Sequence, residues 1–128
     1  MIVVANAPNA VLFNTSSPVA TGSIDWYCSW DINPIPAGAG PSVDYLNGTS
    51  LGGPTVITGP LPPATAFVIK EITIWNNDSI DNTISILVQP PVAGFVIFQC
   101  ILPPGYFLRY NNTPGDNKGW QVSAPFGN

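Results

Sequence analysis

The sequence predicts an all-β protein, an antiparallel β-sandwich of jelly-roll-like form. Three observations predict it. The second half falls into runs of β-branched and aromatic residues separated by short turn signals. No window carries a helical apolar period free of Pro and Gly. A complement of 15 Pro and 12 Gly in 128 residues demands abundant turns and extended chain. That length suits one domain, residues 1–128, with a core large enough to fold without disulfides or metal.

Residues 1–22 are expected to form an extended N-terminal segment. The opening "MIVVANAPNAVLF" has no basic start, and Asn6, Pro8 and Asn9 interrupt its apolar part, so it does not read as a signal peptide. "SIDWYCSW" (Ser23–Trp30) alternates, with Ile24, Trp26, Cys28 and Trp30 on one face. Residues 33–65 are rich in Pro and Gly, and only "PTVIT" (Pro54–Thr58) among them resembles a strand. A structureless loop of that length is uncommon in a compact domain, so the segment reads either as an arm or interface loop or as one long surface loop. Its apolar residues Ile35, Val43, Tyr45, Leu46, Leu51, Val56, Ile57 and Leu61 are the candidate interface with another polypeptide.

"FVIKEITIW" (Phe67–Trp75) is a strand by composition, "NNDSIDN" (Asn76–Asn82) a polar turn, and "TISILV" (Thr83–Val88) a strand with Ile84, Ile86 and Val88 on one face. "QPPVAG" makes a loop. "FVIFQCIL" (Phe95–Leu102) is apolar on both faces, which suits a central strand or one covered by a neighbouring subunit. Pro103–Gly105 turns the chain, "YFLRY" (Tyr106–Tyr110) resumes, and "WQVS" (Trp120–Ser123) closes with a largely buried Trp120.

Composition excludes several function classes. Lys70, Arg109 and Lys118 are the only cations, and the net charge is −4, so neither phosphate backbones nor anionic membrane surfaces find a partner here. No apolar run approaches the ~18 residues of a spanning helix. The absence of His removes the commonest general base and most catalytic zinc sites. Cys28 and Cys100 lie on apolar strand faces and read as free thiols, a disulfide being the alternative if those strands face each other. Asp78 and Asp81 share a turn that needs such residues, which is a better account of them than a catalytic pair. "GDNKG" (Gly115–Gly119) offers only two oxygen-bearing side chains, short of the ~6–8 ligands calcium takes. No catalytic residue, cofactor or metal is therefore expected. Among the aromatics, Trp26, Tyr27, Trp30, Tyr45, Tyr106 and Tyr110 are candidates for stacking on sugars; alternation assigns Trp26 and Trp30 to the core and leaves Tyr27, Tyr106 and Tyr110 for the surface.

The succession "VIKEITIWNND", "TISILV", "FVIFQCILPPGYFLRY", "GWQVS" resembles small β-rich virion proteins of tailed bacteriophages, of head-decoration (cement), head-fibre or tail-fibre-module type. The resemblance runs from Phe67 to Ser123 and leaves out the Pro/Gly-rich first half. It implies a non-enzymatic structural protein that stabilises a phage head by binding the major capsid protein or other virion subunits. It also implies a homotrimer and a virion location after synthesis in the host cytoplasm. Low charge and exposed apolar surface agree with close packing against neighbours. The other reading is a carbohydrate- or receptor-binding module of a fibre or cell-surface system.

Overall fold

The structure is a computed structural model that describes residues 2–5, 9–33, 43–59, 61, 65–89, 95–111 and 119–125. Among them the chain forms strands β1 (Val3–Ala5), β2 (Ala10–Thr15), β3 (Ile24–Asn33), β4 (Val43–Ser50), β5 (Thr55–Val56), β6 (Ala66–Asn76), β7 (Asn82–Gln89), β8 (Phe95–Leu102), β9 (Phe107–Asn111) and β10 (Trp120–Ser123). No helix among these residues is long and apolar enough to cross a membrane.

All pairings are antiparallel and build two sheets. The larger runs β10-β9-β6-β3-β4, and the smaller runs β5-β2-β7-β8. β3 occupies one edge of β6 along its whole length. The other edge is shared end to end: β9 pairs with Glu71–Trp75, and β1 with Ala66–Val68. The inner faces pack on each other as a sandwich. Val11, Phe13, Ile84, Ile86 and Leu102 of the smaller sheet meet Ile24, Cys28, Trp30, Phe67, Ile69, Ile72, Ile74 and Leu108 of the larger.

Two irregularities set which residues point in. In β6, Ser29 of β3 opposes Glu71 and Trp30 opposes Ile69, so Lys70 is a bulge. The bulge changes the phase of alternation, and Phe67, Ile69, Ile72 and Ile74 all reach the core. In β8, Ile86 opposes Phe98 and Leu87 opposes Val96, which leaves Ile97 unopposed.

The connections at one end are tied by a polar cluster. Asn76 is fully buried and satisfied: its Nδ2 donates to the carbonyls of Leu102 (2.7 Å) and Ile80 (3.0 Å), and its Oδ1 accepts from Asp78 N–H and Asn82 Nδ2. Asp78 accepts from the backbone N–H groups of Ala20, Thr21, Gly22 and Ser79 and from Asn82 Nδ2. The link between β2 and β3 is thereby pinned to the link between β6 and β7. A Cβ at Gly22 would overlap the Asn77 carbonyl oxygen, so the close approach requires glycine.

The all-β, two-sheet architecture is as expected, and the second-half strands lie where alternation puts them. The first half differs. Residues 1–22 contain β1 and β2, both paired, rather than an extended segment alone. Residues 43–50 pair with β3 over their length, and Thr55–Val56 pair with β2, so the described part of 33–65 is built into both sheets rather than laid out as an arm. Edge strand β4, "VDYLNGTS", is drawn into the sheet by eight register partners on β3 in spite of Asp, Asn and Gly, which disfavour strands. β8 is not central: its only neighbour among the described residues is β7. Residues 90–94 of the expected "QPPVAG" loop lie outside the described residues.

Candidate functional site

The structure separates the eight candidate interface residues. Ile57, whose N–H donates to the Val11 carbonyl, and Leu61 are buried in the chain's own core and are unavailable to a partner. Tyr45, Leu46, Leu51 and Val56 are exposed. Val43 begins β4, and Ile35 lies outside the described residues.

Strand register shows a larger feature. On the outer face of the smaller sheet, Val56 opposes Leu12, Leu12 opposes Leu87, and Leu87 opposes Val96. This apolar row crosses all four strands. A polar row, Asn14–Ser85–Gln99, lies beside it, and Ile101 opposite Thr83 follows. Leu12, in the middle of the row, is buried at 6% and Leu87 is half-buried, whereas Val56 is 52% exposed, Val96 51% and Ile101 63%. The last two belong to β8, whose outer edge has no strand beside it among the described residues. β8 holds no charged residue and no Pro, the usual protections of such an edge; the bulge at Ile97 is its one irregularity.

The outer face of the larger sheet has the opposite character. Register places Thr49, Asp25, Trp75, Phe107 and Ser123 in one row. Asn47, Tyr27, Thr73, Arg109 and Gln121 form the next, and Tyr45, Ser29, Glu71 and Asn111 the third. Within these rows lies an open groove of about 370 Å³ lined by Asp25, Trp26, Tyr27, Asn47, Glu71, Thr73 and Trp75. Tyr27 stacks on Tyr45 with centroids 6.0 Å apart, and Trp75 leans on Phe107 at 5.6 Å. The Asp25 carboxylate is held by Asn77 Nδ2 at 2.6 Å, Thr49 Oγ1 at 2.9 Å and Ser23 Oγ at 3.2 Å. Glu71 accepts from Thr73 Oγ1 at 3.4 Å and pairs with Arg109 at 3.6 Å.

Of the aromatics proposed for stacking, Tyr27 and Tyr45 are on this face. Trp30 is core, against Phe67, and Trp26 points inward over Gly48. Tyr110, expected outside, is buried: its hydroxyl accepts the Ile2 N–H, and desolvation raises its pKa in spite of that bond. Tyr106 is half-buried. Trp120 is half-buried rather than enclosed, lying parallel on Phe98 of the opposite sheet at 4.4 Å and tilted against Tyr110 at 4.8 Å. Trp75, Thr73, Glu71 and Asn47 were not among the sequence candidates. Alternation in "EITIW" puts Trp75 opposite the core-facing isoleucines, but only strand pairing brings it beside Asp25.

The remaining reactive groups have structural surroundings. Cys28 and Cys100 are both free thiols. Burial pushes Cys28 up to about 12 and raises Cys100, so neither is a ready nucleophile. Burial also works to raise Asp78, but the hydrogen bonds from Thr21, Ala20, Asn82 and Ser79 outweigh it and hold the carboxyl well below the usual carboxylate range. Among the described residues no three Cys, Asp or Glu gather as metal ligands. A scan against protein-family models, a search of curated proteins and a search of solved structures each found no match.

Proposed function

We propose that the chain is a non-enzymatic structural protein of a virion, a head-decoration (cement) subunit that stabilises a phage head by binding neighbouring capsid subunits. The observation that carries this reading is the exposed Val56 and Val96 at the ends of the apolar row, with Ile101 beside them, on a sheet whose rim strand β8 has no strand at its outer edge among the described residues. A strand apolar on both faces at the rim of a sheet favours a covering polypeptide, which gains both buried apolar area and backbone hydrogen bonds. Low charge density supports close packing with neighbours. The nesting of β3–β6 pairing within β2–β7 pairing supports a jelly-roll-like winding. The assembly in this reading is a homotrimer, made in the host cytoplasm and resident on the virion.

The test is co-sedimentation with icosahedral particles together with the solution mass of the free protein. Val96→Asp combined with Ile101→Asp changes two exposed side chains and leaves the core intact. The double variant is expected to melt within a few degrees of wild type, to lose at least tenfold in particle binding, and to change its mass in solution. Unchanged assembly and binding in a normally folded variant overturn the reading.

A further inference from the structure

We propose that the groove on the outer face of the larger sheet is a saccharide-binding site, selective for neutral sugars. The inference does not depend on the virion reading, since it concerns the opposite face of the sandwich.

The groove offers the two things a sugar ring needs. One is a flat apolar surface for the C–H face of the ring, and the exposed faces of Tyr27 and Trp75 supply it from adjacent strands. The other is a set of polar groups around that surface, able to meet hydroxyls as donor and as acceptor. Asp25 and Glu71 accept, Thr73 does both, and the Asn47 amide carries a donor and an acceptor side by side. The volume, about 370 Å³, falls at the small end of the range of roughly 300–1,000 Å³ for ligand clefts.

Asp25 is the element that makes this more than a rough surface. Three side chains from three different parts of the chain hold its carboxylate: Ser23 just before β3, Thr49 of β4 and Asn77 just after β6. A carboxylate offers about four lone-pair positions, so three donors fix its orientation and leave capacity for a ligand hydroxyl. The acceptor is thus positioned before any ligand arrives, which lowers the cost of binding.

Charge selects among ligand classes. Two carboxylates line the groove, and the cation beside it, Arg109, is paired with Glu71. Phosphorylated ligands, nucleotides and acidic sugars meet repulsion there. A neutral sugar meets acceptors that form charge-assisted hydrogen bonds, the stronger kind.

The experiment is binding of the full chain to an array of immobilised neutral hexose and N-acetylhexosamine oligosaccharides, with sialylated and uronic-acid oligosaccharides alongside. Titration calorimetry with the best free oligosaccharide follows. The expected result is binding to neutral members and none to acidic ones. Tyr27→Ala and Asp25→Asn are each expected to weaken it about tenfold or more. Val96→Asp, on the other face, is expected to leave it unchanged. Thermal melts show that each variant is folded, and Tyr27→Phe, which keeps the ring, is expected to retain binding. Failure of every neutral sugar to bind, equal binding of acidic sugars, or indifference to both Tyr27→Ala and Asp25→Asn overturns the proposal. Loss of particle binding in Val96→Asp with sugar binding intact separates the two faces.

Discussion

Asp78 shows how one side chain organises the connections around it. Its carboxylate receives three consecutive N–H groups from residues 20–22, so it ties a distant turn to its own. Because these bonds stabilise the charged form, its folded pKa lies below the unfolded value of about 3.9. The unfolded chain then binds the extra proton between the two values, so stability from this group is complete above about pH 4–5 and is lost as pH falls toward the folded pKa. We expect the melting temperature to fall below about pH 4, and to fall less steeply in Asp78→Asn; equal acid profiles for the two proteins would assign the effect to another carboxylate. The sequence identifies Asp78 as a turn residue but gives no sign of the three partners that lie 56–58 positions away. The thiols are a second case. With Cys28 near 12 and Cys100 raised, iodoacetamide at pH 8 is expected to label neither in the native protein and both after denaturation. A native mass short by two hydrogens would instead mean a disulfide. Trp120, half-buried between Phe98 and Tyr110, is expected to cost about 3 kcal/mol on replacement by Ala, the low end of the ~3–5 kcal/mol seen for such truncations, read from denaturant melts.

Among the elements, β6 depends on a single extra residue. Phe67 and Ile69 point inward in one phase, Ile72 and Ile74 in the other, and Lys70 takes up the difference. Deleting Lys70 forces one pair out of the core. At about 1.5–3 kcal/mol for each large apolar side chain, that costs about 3–6 kcal/mol of the roughly 5–15 kcal/mol of a typical domain, so the deletion variant is expected to melt far below wild type. Lys70→Ala keeps the bulge and loses only an exposed side chain, so its melt is expected to match wild type within about 0.5 kcal/mol. A deletion variant as stable as wild type would show that β3 and β6 pair in another register. The spacing of three between Ile69 and Ile72, inside a strand otherwise alternating by two, is the trace of this bulge in the sequence. The strands from Phe67 onward are legible because β-branched residues alternate between sharp turns. β4 is not, since "VDYLNGTS" mixes Asp, Asn, Gly and Ser and owes its strand form to pairing with β3. The edge position of β8 is invisible for a related reason: strand order is a property of pairing, and "FVIFQCIL" has the composition of a central strand.

At the scale of the whole molecule the two outer faces are unlike. One carries an apolar row and an edge with no strand beside it among the described residues, the other a polar, aromatic groove. On low charge and surplus apolar residues the sequence places its candidate contact in 33–65; of those residues Ile57 and Leu61 serve the core, while Tyr45, Leu46, Leu51 and Val56 are exposed. The groove could not be found from local sequence, because its lining comes from β3, β4 and β6 and no two of those strands are consecutive except β3 and β4. If both proposed contacts hold, the opposed faces make the molecule a connector. On the proposed reading, a copy seated on a particle by its apolar row would turn its groove toward the surrounding solution, and many copies would do so in a regular array. Once one groove is occupied, the next contact on the same glycan-bearing surface is intramolecular, at an effective concentration in the millimolar range for short spans, and avidity exceeds single-site affinity by about 10²–10⁴. A groove that holds a free sugar only weakly is then enough for a decorated particle to adhere, while the free subunit washes away.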